Sequence, residues 1–97
     1  MSSQSEPQFV ASAQILNTTD STTVYSGPAV LRGVWVNAAF SAHACGIENG
    51  ETAVFTLPAS LAVGWYDLGD TYFDTSIVYD PANDASAGSV TFVYKRV

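Results

Sequence analysis

The chain is predicted to fold as an all-β protein, a single small β-sandwich of jelly-roll or immunoglobulin-like type with about seven or eight short antiparallel strands. Three observations carry that prediction. Segments rich in Val, Ile, Thr, Phe, Tyr and Trp recur about every 8–12 residues between breaks built from Gly, Pro, Asn and Asp, which is sandwich spacing. No stretch longer than one turn keeps a helical period. The 97 residues suit one domain, with no internal repeat and no linker dividing them.

Residues 1–8, MSSQSEPQ, are polar and have nothing to bury, so they read as an extended N-terminal arm ahead of a sandwich over residues 9–97. Such an arm packs along its own domain or lies on a neighbouring subunit. Deleting it is expected to weaken attachment to a partner and to leave the domain folded. Residues 9–16, FVASAQIL, read as the first strand, and residues 17–21 as a turn cluster. Asn17-Thr18-Thr19 matches a glycosylation sequon but is read as part of that turn, because no secretory signal precedes it. Residues 22–25 are β-branched and run into the Gly27-Pro28 break.

The stretch after that break, AVLRGVWVNAAF, is the longest block of strand formers and is read as the central strand. Side chains alternate between faces in a strand, which puts Val30, Val34 and Val36 on one side and Leu31 and Trp35 on the other. A strand apolar on both sides is normally covered on both, by a core and by a partner or second layer. Arg32 interrupts the valine face and is expected to meet a carboxylate or carbonyl at an interface. Gly33 interrupts the other face, as though something packs closely there.

Further along, Asn49-Gly50 signals a hairpin, and residues 52–57 alternate Ala53, Phe55 and Leu57 against Thr52, Val54 and Thr56. Pro58 ends that strand. Residues 59–63 form an apolar loop or a single helical turn. Residues 65–70 read as a brief strand closing in a glycine turn, residues 72–79 as the next strand, 80–88 as a polar loop and 90–97 as the last strand.

Charge and composition narrow the chemistry. Nine acidic residues stand against Arg32, Lys95 and Arg96, a balance that repels nucleic-acid phosphates. Only 12% of the residues are charged, about half the usual share, and charge-poor surfaces are often interfaces. No apolar run approaches membrane-spanning length. Cys45 is the single cysteine, so no internal disulfide forms, and a lone thiol fits synthesis in a reducing cytoplasm.

Catalytic groups are scarce. His43 and Cys45 share a strand face and could make a thiol–imidazole pair or half a metal site, but a packed cysteine and a satisfied histidine account for them more simply. Asp67, Asp70 and Asp74 could offer oxygens to calcium or a carboxylate pair to glycoside hydrolysis. They lack calcium-loop spacing and sit where turn acids belong. No catalytic, cofactor-binding or metal-binding residue is assigned. The aromatics say more: Trp35, Trp65, Tyr66, Tyr72, Phe73 and Tyr79 are many for one small domain. Core packing claims most of them. Phe9, Arg32, Trp35, Trp65, Tyr66 and Tyr72 are the interface candidates, and a sugar platform on Trp35 or Trp65 is the third use.

The segments GPAVLRGVWVN, NGETAVFTLPAS, GWYDLGDTYFDTSIVYD and GSVTFVYKR, in that order over residues 26–96, resemble a group of small structural proteins of tailed-bacteriophage virions. The resemblance implies a non-enzymatic capsid decoration or cement protein. Such a protein is made in the host cytoplasm and sits on the capsid surface, bridging major capsid subunits as a homo-oligomer, with a trimer favoured. It implies no cofactor, no direct nucleic-acid contact and no membrane. A neck, tail or fibre-attachment protein of the virion is the alternative, and a carbohydrate-binding sandwich module the second.

Overall fold

The computed structural model describes residues 11–16, 21–39, 44–81 and 89–97, the first of these segments by its backbone alone. The expected arm, Phe9, the sequon and His43 lie outside the described residues. The described chain contains eight strands and no helix: β1 (Ala11–Leu16), β2 (Thr22–Ser26), β3 (Ala29–Ala38), β4 (Cys45–Asn49), β5 (Thr52–Leu57), β6 (Gly64–Phe73), β7 (Ser76–Pro81) and β8 (Ser89–Arg96). They form two four-stranded sheets, sheet I in the order β1-β8-β3-β6 and sheet II in the order β2-β7-β4-β5.

The pairing is nested. β4 pairs with β5, β3 with β6, β2 with β7 and β1 with β8, all antiparallel, and successive pairs fall alternately in the two sheets. This is one long hairpin rolled over on itself, and rolling adds the contacts of β3 with β8 and β4 with β7. Between the jelly-roll and immunoglobulin-like alternatives, the topology is the jelly roll. Ala29, Leu31, Val34, Val36, Phe73, Val90, Phe92 and Tyr94 face inward from sheet I. Cys45, Ile47, Leu57, Ile77 and Tyr79 face them from sheet II. Tyr79 meets Phe92 edge-on with ring centroids 5.7 Å apart, and Tyr25 meets Tyr94 at 5.4 Å, so aromatic pairs bridge the sheets.

β3 is central, as its composition predicts, but its inward side is not the valine parity. Against β8, Leu31 aligns with Tyr94 and Gly33 with Val93, so Arg32 is an extra residue and the strand bulges there. The inward set therefore runs Ala29 and Leu31 before the bulge and Val34 and Val36 after it. Val30, Arg32 and Trp35 are left on the outer side. A single bulge makes both parities apolar without a second covering layer.

Two further expectations change around β6. The Gly69-Asp70 turn is a second bulge inside one ten-residue strand, with Leu68, Gly69 and Asp70 set against Arg32 alone. Both Gly69 (φ 73°) and Asp70 (φ 54°) are left-handed, and Asp67 Oδ1 accepts the Gly69 N–H at 2.9 Å. The chain reverses instead at Asp74-Thr75, inside the expected strand 72–79, and residues 59–63 turn without a helix. The 49–52 hairpin forms as expected, with Gly50 (φ 63°) at the first central position of its turn.

Asn49 holds the 74–75 reversal from outside. Its Oδ1 accepts the N–H groups of Thr75 at 3.0 Å and Ser76 at 3.3 Å, and its Nδ2 donates to Asp74 Oδ1 at 2.9 Å. Hydrogen bonds from Asn49 and then Thr75 hold the Asp74 carboxyl below its ordinary value of 3.8. That contribution is present above pH 3.8 and fades as pH falls through the lowered value. Asn49→Ala is expected to lower stability by about 1–2 kcal/mol, because two backbone N–H groups lose their acceptor. Urea unfolding checks this, and a midpoint equal to the wild type would show that water replaces the asparagine without loss.

Candidate functional site

The outer face of sheet I carries the features that a core does not explain. Cross-strand register sets Trp35 beside Trp65, Gly33 beside Asp67, and Val30 beside Tyr72 on β3 and β6, while Thr91, Val93 and Lys95 follow on β8. Trp35 is 49% exposed and Tyr72 56% exposed. The two indoles lie with centroids 5.2 Å apart at 51°.

Gly33 explains how Trp65 sits. A Cβ placed on Gly33 would come within 2.4 Å of the Tyr66 carbonyl oxygen and 2.7 Å of Trp65 Cζ2 and Cη2. The indole is pressed onto bare backbone, the close approach that a glycine at this position suggests. Trp35, Trp65 and Val93 then line an apolar hollow of about 220 Å³. Trp65 also borders a second space, a groove of about 560 Å³ lined by Arg32, Asp67, Gly69 and Asp70. Arg32 Nε donates to Asp70 Oδ1 at 3.1 Å, both side chains remaining about half exposed. The carboxylate expected for Arg32 is thus found within its own chain.

The face has two ends of different shape. The indole end is hollowed and walled by the β6 bulge, with Asn37 Nδ2 donating to Thr91 Oγ1 at 2.7 Å beyond Trp35. At the other end Tyr72 stands beside Val30 and Lys95 on regular sheet. Tyr66 belongs to neither. It packs against the core from the opposite parity, and its hydroxyl donates to the Ala62 carbonyl at 2.8 Å.

Among the described residues, the other candidate groups have structural partners, while His43, proposed with Cys45, lies outside them. Cys45 is buried and accepts a hydrogen bond from the Tyr79 hydroxyl at 3.3 Å; burial, then Cys45, pushes the Tyr79 phenol up well beyond its ordinary range. Asp74 serves its turn while Asp67 and Asp70 line the groove, and among the described residues no three His, Cys, Asp or Glu side chains group to hold a metal.

On sheet II the Glu48 carboxyl is raised above its ordinary 4.5, first by its hydrogen bond with Asp80, then by burial and by the charges of Asp80 and Glu51. A raised carboxyl favours the folded state while protonated, and that support is lost as pH rises through the folded value. Glu48→Gln is therefore expected to stabilise the protein at neutral pH by ~0.2–0.5 kcal/mol after solvent screening. The gain should shrink below pH 4.5, where the wild-type carboxyl is itself protonated. Thermal melts at neutral and acid pH check the sign, and a gain that grows on acidification would refute this origin.

Sequence reasoning found Trp35, Trp65, Arg32 and the close approach at Gly33. It missed that Asp67 and Asp70 wall the groove beside Arg32, because the register with Gly33 places Asp67 there and the β6 bulge places Asp70. No protein-family model, no curated protein and no solved structure matches this chain.

Proposed function

We propose that the protein is a non-enzymatic structural component of a tailed-phage virion, a capsid decoration or cement protein that works as a homo-oligomer. The observation that carries the assembly role is the uncovered aromatic face of sheet I, with Tyr72 more than half exposed beside Val30. Tyrosine and tryptophan anchor protein interfaces, because they bury a large rigid area and keep a polar tip. The virion assignment itself is supported by the order of the segments in residues 26–96 that resemble such proteins.

The mechanism is mechanical. The domain bridges adjacent coat subunits, and area buried at ~25 cal/mol per Å², less the entropy of association, raises the barrier to rupture of the shell. A cyclic trimer closes a heterologous interface around a symmetry axis. The net charge of −6 keeps decorated particles apart.

Quantifying copies per particle tests the location, since a decoration protein repeats over the whole shell and a neck or tail protein is confined to one vertex and its symmetry axis. Tyr72→Ala is expected to weaken attachment to capsids by roughly tenfold or more, as for an interface anchor. Unchanged attachment of a folded Tyr72→Ala protein would remove this end of the face from the interface.

A further inference from the structure

The geometry points to a second activity at the indole end of the same face: the hollow of Trp35, Trp65 and Val93 and the adjoining groove of Arg32, Trp65, Asp67 and Asp70 together form a binding site for a neutral oligosaccharide. It goes beyond the assembly reading and uses residues separate from Tyr72.

The ligand class follows from what the groove offers together. One part is apolar and aromatic, the tilted indole pair with Val93. The adjoining part, sharing Trp65, presents a guanidinium and two carboxylates within one space. Donor and acceptor are paired at 3.1 Å while both side chains stay about half exposed. Asp67 is exposed, and its Oδ1 accepts the Gly69 N–H.

Each simpler ligand conflicts with part of this set. An anion meets two carboxylates on a protein of net charge −6. A bare cation meets Arg32. A purely apolar molecule covers the indoles but strips water from the Arg32–Asp70 pair without replacing its hydrogen bonds. A pyranose satisfies both parts. Its C–H face carries weak positive charge and lies against the negative face of an aromatic ring. Its adjacent hydroxyls both donate and accept, as a neighbouring carboxylate and guanidinium require. The larger space, about 560 Å³, falls in the range of ordinary ligand sites, and the smaller, about 220 Å³, adjoins it at Trp65, an arrangement that suits two or more linked sugars rather than one.

The site is built rather than incidental. Gly33 lets the indole lie on backbone, the β3 bulge brings Gly33 onto the same outer face as Arg32, and the β6 bulge places Asp70 opposite Arg32. Bulges are recurrent devices for re-aiming side chains at functional sites.

The test uses the full chain and its two tryptophans, each giving one indole N–H resonance. Cellotetraose, maltotriose and linear mannotriose are titrated to ~10 mM, enough to fill a site of millimolar affinity. Trigalacturonic acid serves as the anionic control. Saturable shifts of both indole resonances with at least one neutral sugar are expected, with no saturation by the anionic one. Trp35→Ala and Asp67→Asn are expected to weaken binding at least about fivefold while remaining folded, since the first side chain is half exposed and the second variant keeps an acceptor for the Gly69 N–H. Tyr72→Ala is expected to bind sugar normally even where it fails to attach to capsids, which separates this inference from the assembly reading. Absence of saturable shifts with every neutral sugar overturns the proposal. So does binding that both groove variants leave unchanged, and so does a response of the indoles to coat protein alone.

Discussion

Phe92→Ala is expected to remove ~3–5 kcal/mol of unfolding free energy, among the largest losses from truncating a described core residue. Phe92 is fully buried on β8, which runs between β1 and β3 in sheet I. Its ring takes the edge of Tyr79 from sheet II at 5.7 Å. Truncation therefore removes a transfer contribution, opens a cavity between two sheets that cannot close without sliding, and strips an aromatic partner from a buried phenol. A domain of this size holds only ~5–15 kcal/mol in total, so the variant would unfold at a much lower urea concentration or fail to fold at room temperature. Urea denaturation followed by circular dichroism measures it. A loss below about 1 kcal/mol would mean that the sheets do not pack through this residue.

Gly33→Ala is expected to cost about 2–3 kcal/mol, an unusual penalty for adding one methyl group on an outer face. The new Cβ would lie 2.4 Å from the Tyr66 carbonyl oxygen, and a backbone atom cannot move away without opening the β3–β6 ladder. It would also meet Trp65 at 2.7 Å, so the indole must lift off the sheet and its fluorescence should shift towards that of solvated tryptophan. Gly46→Ala is the matched control. Its Cβ would find the Asp80 carbonyl oxygen at 3.6 Å, an ordinary contact, and its midpoint should change by less than about 0.5 kcal/mol. Equal midpoints for the two variants would refute the close approach. Loss of stability at Gly33 without a change in tryptophan emission would place the strain in the backbone alone.

Much of this architecture was legible locally. Strand spacing, the Asn49-Gly50 hairpin and the absence of helical period led to the all-β class because turn chemistry and side-chain alternation act over a few residues. Gly33 was legible as a close approach because a glycine amid strand formers has few other uses. Misreadings gathered where a strand departs from strict alternation. Arg32 looked like a charge on a valine face, and Gly69-Asp70 looked like the end of a strand. In both places a bulge shifts the register, and the hydrogen bonds that stabilise a bulge come from a neighbouring strand.

The sequence by itself determined the class, the central role of residues 26–40, the scarcity of reactive groups and the surplus of aromatics. It could do so because composition and period are properties of the chain alone. Only the tertiary structure decided that the hairpin rolls into a jelly roll, that Tyr66 turns inward while Tyr72 stays outside, and that Trp65 borders both the hollow beside Trp35 and the groove of Arg32, Asp67 and Asp70. These depend on register between strands far apart in sequence. A one-residue slip moves a side chain to the opposite face, and only pairing across the sheet sets where the slips occur.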